Sequence, residues 1–266
     1  MKPVVLITGA SSGIGVALAK VFAANQHEHG HELALVARRQ DRLDVLAGEI
    51  AATGRPRPTV ITVDLERRDA ASIVAAELSS HGLEPAIVVN NAGFGLRGLA
   101  AALSGDEQLA MIDVNVRALT ELSLMFVDSL ARHRGGILNV ASLAAFLPGP
   151  GMAVYYASKA YVLSFSEALH RELSERGVRV TALCPGPVPT EFQARAGGMQ
   201  VNAAVRALEL SAERVAQIGY DGFMAGKRVV IAGIGNRIAV SLMRLIPNAL
   251  LLRLADQRPR SARSGK

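Results

Sequence analysis

The chain has 266 residues, half hydrophobic and a fifth charged, which excludes wholesale disorder; 25 glycines and 11 prolines are too few for a fibrous chain. One cysteine, Cys184, excludes a disulfide framework and cysteine-rich zinc sites, and the lack of tryptophan argues against a stacking surface for single-stranded nucleic acid. The formal net charge of +6 is uneven: from Lys227 onward nine basic residues face one acid, Asp256, for a local +8, so the rest of the chain sits at −2 and is no grip for nucleic acid.

Residues 4–7 are a short apolar run, too brief for a signal core, and point to a cytoplasmic protein that opens on a strand. A glycine-rich turn follows, then a helical stretch over 13–24. His27, His29 and His31 alternate before the next run; without a matching carboxylate–histidine set they read as a solvated loop, with no metal. Further strand-length runs fall at 33–36, 60–63, 86–89, 136–140, 178–183 and 228–232. Helical patterns lie between them at 39–52, 70–80, 109–133 and 155–176. The runs are continuous rather than alternating, as expected for strands covered on both faces. The alternation predicts an α/β fold: a Rossmann-type doubly wound parallel sheet of about seven strands with helices on both faces. One catalytic domain is expected over 1–256. Such sheets bind ligands beyond the carboxyl ends of their strands, and the informative residues follow each run.

After the first run comes Thr8-Gly9-Ala10-Ser11-Ser12-Gly13-Ile14-Gly15. Its glycines permit a tight turn and close ligand approach, and the helix behind it offers a positive end to a pyrophosphate. The spacing departs from G-x-G-x-x-G, and taken alone the stretch also fits a plain structural turn, the lesser reading. Asn90-Asn91-Ala92-Gly93 follows the fourth run, Tyr155-x-x-x-Lys159 has Ser142 upstream, and Pro185-Gly186-Pro187-Val188-x-Thr190 follows the sixth. Four motifs in this order resemble the classical short-chain dehydrogenase/reductase family over the first three quarters of the chain. The resemblance implies a nicotinamide cofactor and hydride transfer between an alcohol and a carbonyl, in an oligomeric enzyme. It also implies cofactor contacts from Gly9, Ser11, Ser12, Gly13, Ile14 and Gly15. Asp64 and Leu65 would lie at the adenine, with Asn91, Ala92 and Gly93, then Tyr155 and Lys159, then Pro185, Gly186, Val188 and Thr190 along the rest.

The second run ends in Ala37-Arg38-Arg39, with no acid until Asp41. A carboxylate there would hold the ribose hydroxyls of NAD, whereas arginine offers a charge-assisted fork to a 2′-phosphate. Arg38 therefore predicts NADP(H), with Ser12 as a further donor. The plainer alternative makes both arginines a solvated helix start, and makes Asp64 a helix N-cap.

Tyr155 and Lys159 are four apart and share a helix face. Tyrosine is a poor acid at neutral pH unless a nearby ammonium or an oxidised nicotinamide stabilises its phenolate. Tyr155 is expected to act as general acid or base toward the substrate oxygen. By the resemblance, Ser142 bonds that oxygen and Asn115 helps hold Lys159 and a water chain. The rival is a non-catalytic NADP(H)-binding regulator or sensor, which would need no such proton donor.

Residues 187–215 read as a substrate lid. Phe94, Phe146, Leu147, Met152, Phe192 and Met199 are candidate walls of an apolar pocket, which favours a hydrophobic ketone, aldehyde or acyl-type carbonyl. The apolar stretch 238–254 is broken by Arg244, Pro247 and Arg253, short of a membrane span. With the tail it either packs on the sheet or on a second subunit of a homo-oligomer, or lies on an anionic membrane surface through 238–266. Residues 257–266 read as a disordered basic tail.

Overall fold

Val4 to Ile7 lose all solvent exposure on folding. The strand they form, β1 (Lys2–Thr8), lies inside a seven-stranded parallel sheet. The computed structural model describes residues 1–192, 206, 208–243, 246–247 and 252, apart from the side chains of His27 and His29. The other strands are β2 (Glu32–Ala37), β3 (Thr59–Thr62), β4 (Leu83–Asn90), β5 (Gly136–Val140), β6 (Arg179–Cys184) and β7 (Val229–Ile231), in the order 3-2-1-4-5-6-7. The winding reverses between β1 and β4, so the loops after these two strands diverge and open a crevice at the switch point.

The continuous apolar runs are explained by two cores, one on each side of the sheet. Val4, Leu6, Val36, Val88 and Val180 point to one; Val5, Ile7, Leu35, Val89 and Leu183 point to the other. The second core is closed by α1 (Gly13–Ala24), α3 (Gln40–Ala52) and α9 (Ala212–Met224), through Phe22, Leu46 and Phe223. The first is closed by α4 (Ala70–Ser80), by the segment over 105–132 and by α8 (Ala153–Ser174), through Val74, Leu122 and Leu169. The buried stripe of α8 holds Tyr155, Ser158, Lys159, Val162 and Ser166, so its four-residue spacing carries polar groups into the core side. The last described helix is α10 (Ile234–Met243), with Ile234, Ile238 and Leu242 exposed along one side.

Several boundaries differ from the sequence expectation. The helix predicted over 109–133 is three helices, α5 (Gly105–Ile112), α6 (Leu119–Met125) and α7 (Val127–Arg132), with a π-helical turn at Asp113–Ala118. Ser104 starts it by accepting a hydrogen bond from the Glu107 amide. Apolar spacing does not separate α from π turns, because both keep one side toward the core. The histidine stretch is one helical turn, α2 (Gln26–His29), closed by Gly30 at φ +73°, rather than a loop. The expected lid over 187–215 overlaps α9, whose N-cap Ser211 accepts from the Arg214 amide; residues 193–205 and 207 lie outside the described set, as does the tail from 253. Among the described residues no cluster of His, Cys, Asp or Glu could hold a metal ion, and no helix is long and apolar enough to cross a membrane.

Phe22 is fully buried and meets Tyr220 edge-on, with ring centroids 5.0 Å apart, joining α1 to α9. Phe22→Ala is expected to lower unfolding free energy by about 3–5 kcal/mol, read as a drop in the urea midpoint.

Candidate active site

Thr8, at the end of β1, ties the two strands of the switch point together. Its hydroxyl donates to the Val89 carbonyl at 3.3 Å and accepts from the Asn91 and Ala92 amides at 3.0 and 3.1 Å. The Asn91 side chain donates to the carbonyls of Thr8 and Gly9 at 3.0 and 3.2 Å. Asn91 thus braces the glycine-rich turn from behind. Gly9 sits at φ +67°, and a Cβ there would lie 2.8 Å from Ala92 Cα. A Cβ on Gly15 would lie 2.1 Å from the Gly9 carbonyl oxygen. Gly9 and Gly15 therefore permit a backbone fold that no side chain would allow. Gly15 packs inside that fold, whereas Gly9, Ser11, Ser12, Gly13 and Ile14 line a cavity of about 1500 Å³. Ser12 is the N-cap of α1 without a capping bond from its own side chain, and the positive end of that helix faces the cavity. These features fit a pyrophosphate-bearing dinucleotide.

The same cavity continues past Asn91, Ala92 and Gly93 to Ser142, Tyr155 and Lys159, and then to Pro185, Gly186, Val188 and Thr190. Ser142 ends the extended segment after β5, and its Oγ accepts from the Ala144 amide at 3.1 Å. It lines the same cavity as Tyr155. Burial pushes the Tyr155 phenol up to about 12, and the neighbouring Ser142 hydroxyl only partly offsets this. One helical turn on, Lys159 donates to the Val140 carbonyl at 2.8 Å, and its Nζ lies 6.0 Å from the Tyr155 ring centre. Burial pulls the amine down to about 8. The expected acidified phenol is thus not found in the side chains alone: burial raises the phenol, and Ser142 offsets it only in part.

Asn115 is buried in the π-helical turn, behind the cavity wall. It accepts from the Phe94 amide at 3.1 Å and donates to the Phe94 carbonyl and Ser158 Oγ, both at 3.0 Å. A Cβ on Gly93 would stand 2.9 Å from Asn115 Oδ1 and 3.4 Å from Lys159 Nζ. The bare glycine lets both polar groups approach the loop after β4. Ser158, which bonds Asn115 and the Tyr155 carbonyl, had no sequence signal beyond its place on the α8 stripe.

At the other end, Arg38 reaches Asp64 at 3.5 Å and Glu66 at 3.0 Å. Asp64 accepts from the Glu66 amide at 3.0 Å instead of capping a helix, because α4 begins after Asp69. Leu65 is buried beside it on the cavity wall. Arg39 was legible only as a helix start. Its guanidinium lies on the glycine-rich turn, donating to Ser11 Oγ at 3.1 and 3.3 Å.

Of the expected pocket walls, Phe94, Leu147, Met152 and Phe192 line the cavity. Phe146 instead packs against a small core around Leu119, Val162 and Cys184. Met199 lies outside the described residues. Leu99, Tyr156, Leu208 and Met243 add to the apolar wall. Asn236 of α10 was not anticipated: it holds the Ala232 and Leu208 carbonyls at 2.7 and 3.2 Å, and fills the space a Cβ on Gly186 would need.

Residues 3–200 match the short chain dehydrogenase family. Sulfoacetaldehyde reductase 2 of Chromohalobacter salexigens is 39% identical over 82% of this chain and 87% of that protein. A short-chain dehydrogenase from Sphingobium yanoikuyae in complex with NADPH superposes with a TM-score of 0.79, at 31% identity over 97% of each chain. A 3-ketoacyl-(acyl-carrier-protein) reductase from Brucella melitensis complexed with NADH gives 0.74, at 27% identity over 86% of this chain and 95% of that one. Structural neighbours thus hold either nicotinamide.

A lowered amine pKa means that the folded chain binds the Lys159 proton less tightly than the unfolded chain. Protonation then opposes folding in full below about pH 8, and the penalty fades between about 8 and 10.5. Lys159→Met is expected to be more stable than the parent at pH 7 by about 1–3 kcal/mol. The gap should narrow as the pH rises through that window, as measured by thermal melts. A parent that melts higher at pH 7 would contradict the cost of burying this charge.

Proposed function

The chain belongs to the short-chain dehydrogenase family of oxidoreductases, and from that premise we propose that it is an NADP(H)-dependent reductase of hydrophobic carbonyl compounds, reversible toward the secondary alcohol. The observation that carries this reading is a buried phenol that shares one cavity with Ser142 and the glycine-rich turn and stands one helical turn from a buried amine.

A bound nicotinamide supplies or accepts the hydride. The chain's own residues manage the proton. A phenol pushed up to about 12 stays protonated at neutral pH, so Tyr155 Oη is set to donate to a carbonyl oxygen. Ser142 Oγ can bond the same oxygen and hold it within reach of that proton. Lys159, anchored on Val140, places a positive charge beside the phenolate that donation leaves behind. Asn115 and Ser158 position the α8 turn that carries both groups.

Cofactor preference rests on the edge after β2. Ala37 offers no carboxylate to a ribose, and Arg38 and Arg39 both line the cavity. The apolar walls around Phe94, Leu147, Met152 and Phe192 support a hydrophobic substrate. A homo-oligomer is supported by the exposed Leu109, Ile112 and Leu124 on the outer side of α5 and α6, with Tyr161 on α8.

Tyr155→Phe is expected to cut carbonyl reduction by about 10²–10⁴-fold while leaving the Kd for NADPH nearly unchanged, as read by fluorescence titration. Near-parental turnover would remove the mechanism. Initial rates across a ketone and 3-oxoacyl thioester panel should favour NADPH over NADH by about ten- to a hundredfold in kcat/KM, the worth of charge-assisted bonds to a phosphate. A preference for NADH overturns the cofactor assignment.

A further inference from the structure

The arginines at the adenosine end of the cavity already hold carboxylates of this chain. Arg38 is paired with Asp64 and Glu66. Arg39 Nη1 holds Glu191 Oε2 at 2.9 Å, and Arg42 holds the other oxygen of the same carboxylate. Glu191 comes from the far side of the cleft. It follows Thr190, whose Cγ2 lies 3.0 Å from where a Cβ on Gly13 would stand. Arg39 and Arg42 come from the start of α3. The ion pairs therefore strap the segment after β6 to the segment after β2, across the glycine-rich turn. Arg39 completes the strap by donating to both the hydroxyl and the carbonyl of Ser11.

The strap is not a stability element. The side chains of Arg39, Arg42 and Glu191 are 40%, 43% and 53% exposed, and pairs this wet are worth about 0–1 kcal/mol. Hydrogen bonds from Arg39 and then Arg42 hold the Glu191 carboxyl below the usual carboxylate range, so it is ionised. A half-exposed carboxylate on two guanidinium groups is a weak, exchangeable anion. A phosphate carries more charge and three acceptor oxygens, so it competes well for the same donors.

We propose that Glu191 is a specificity-determining residue: its carboxylate occupies Arg39 and Arg42, and the 2′-phosphate of the dinucleotide displaces it. This rests on the NADP(H) reading above and adds an internal competitor to it. The carboxylate sets how much a 2′-phosphate gains by binding. A cofactor without that phosphate leaves the strap in place.

Calorimetric titration separates the two ideas without turnover. Adenosine 2′,5′-bisphosphate and adenosine 5′-monophosphate are titrated into the full chain, the parent and Glu191→Gln side by side. The variant is expected to raise the affinity ratio of bisphosphate to monophosphate by about three- to tenfold, the effect of removing one unit charge close to the phosphate. In an Arg39→Gln/Arg42→Gln background the same substitution should leave the ratio unchanged. Monophosphate binding by each variant reports an intact site. If the parent favours the bisphosphate but Glu191→Gln leaves or narrows the ratio, the competitor role is overturned while the cofactor assignment stands. If the parent shows no preference for the bisphosphate, the NADP(H) reading fails and the proposal fails with it.

Discussion

A nearly buried lysine amine on the cavity wall is held by the backbone carbonyl of Val140 at 2.8 Å. Charge is costly in such a place, and the amine is pulled down to about 8 as a result. The surroundings are built to tolerate it. Gly93 leaves room beside the amine, Asn115 closes the space behind, and Ser158 links Asn115 to the turn of α8 that carries Tyr155. The phenol is desolvated by the same enclosure and pushed in the opposite direction. The two shifts together keep a proton on the tyrosine and make the amine easy to discharge.

The cradle at the carboxyl end of β1 solves a related problem. A dinucleotide must lie close to the backbone, and the backbone must not collapse without it. Gly9 and Gly15 remove the side chains that would block the fold, while Thr8 and Asn91 supply hydrogen bonds that keep the turn open. These bonds join β1 to β4, the pair at which the winding reverses. The crevice and its floor are therefore one construction. Strain is avoided because the left-handed positions carry glycine.

Charge is arranged with the same economy along the cleft. The end of the cleft after β2 carries Arg38, Arg39 and Arg42, yet Asp64, Glu66 and Glu191 answer each of them. Cationic donors that are satisfied by weak, exposed partners remain available to a stronger anion. The stretch around Tyr155 differs: its walls are largely apolar, with Arg97 among them, and Ser142, Lys159 and Asn115 are bonded to the backbone.

Most of the architecture was legible in the linear chain, because strands buried on both faces must be apolar at every position and the tight, left-handed turn after β1 calls for glycine. Seven runs, the glycine-rich turn and the Tyr155–Lys159 spacing needed no coordinates. The π-helical turn at Asp113–Ala118 was hidden, since its apolar spacing is also that of an α-helix. Arg39 was hidden too, because a guanidinium at a helix start carries no mark of the direction it takes. Folding alone brought Glu191 across the cleft from a point some 150 residues later in the chain. Phe146 was lost from the pocket for a similar reason: a short 3₁₀ turn at Leu143–Phe146 sends it into a neighbouring core. Local pattern reports what each segment must bury. Which side chains meet across a cleft depends on how distant segments are stacked, and on how solvent exclusion then moves their protons.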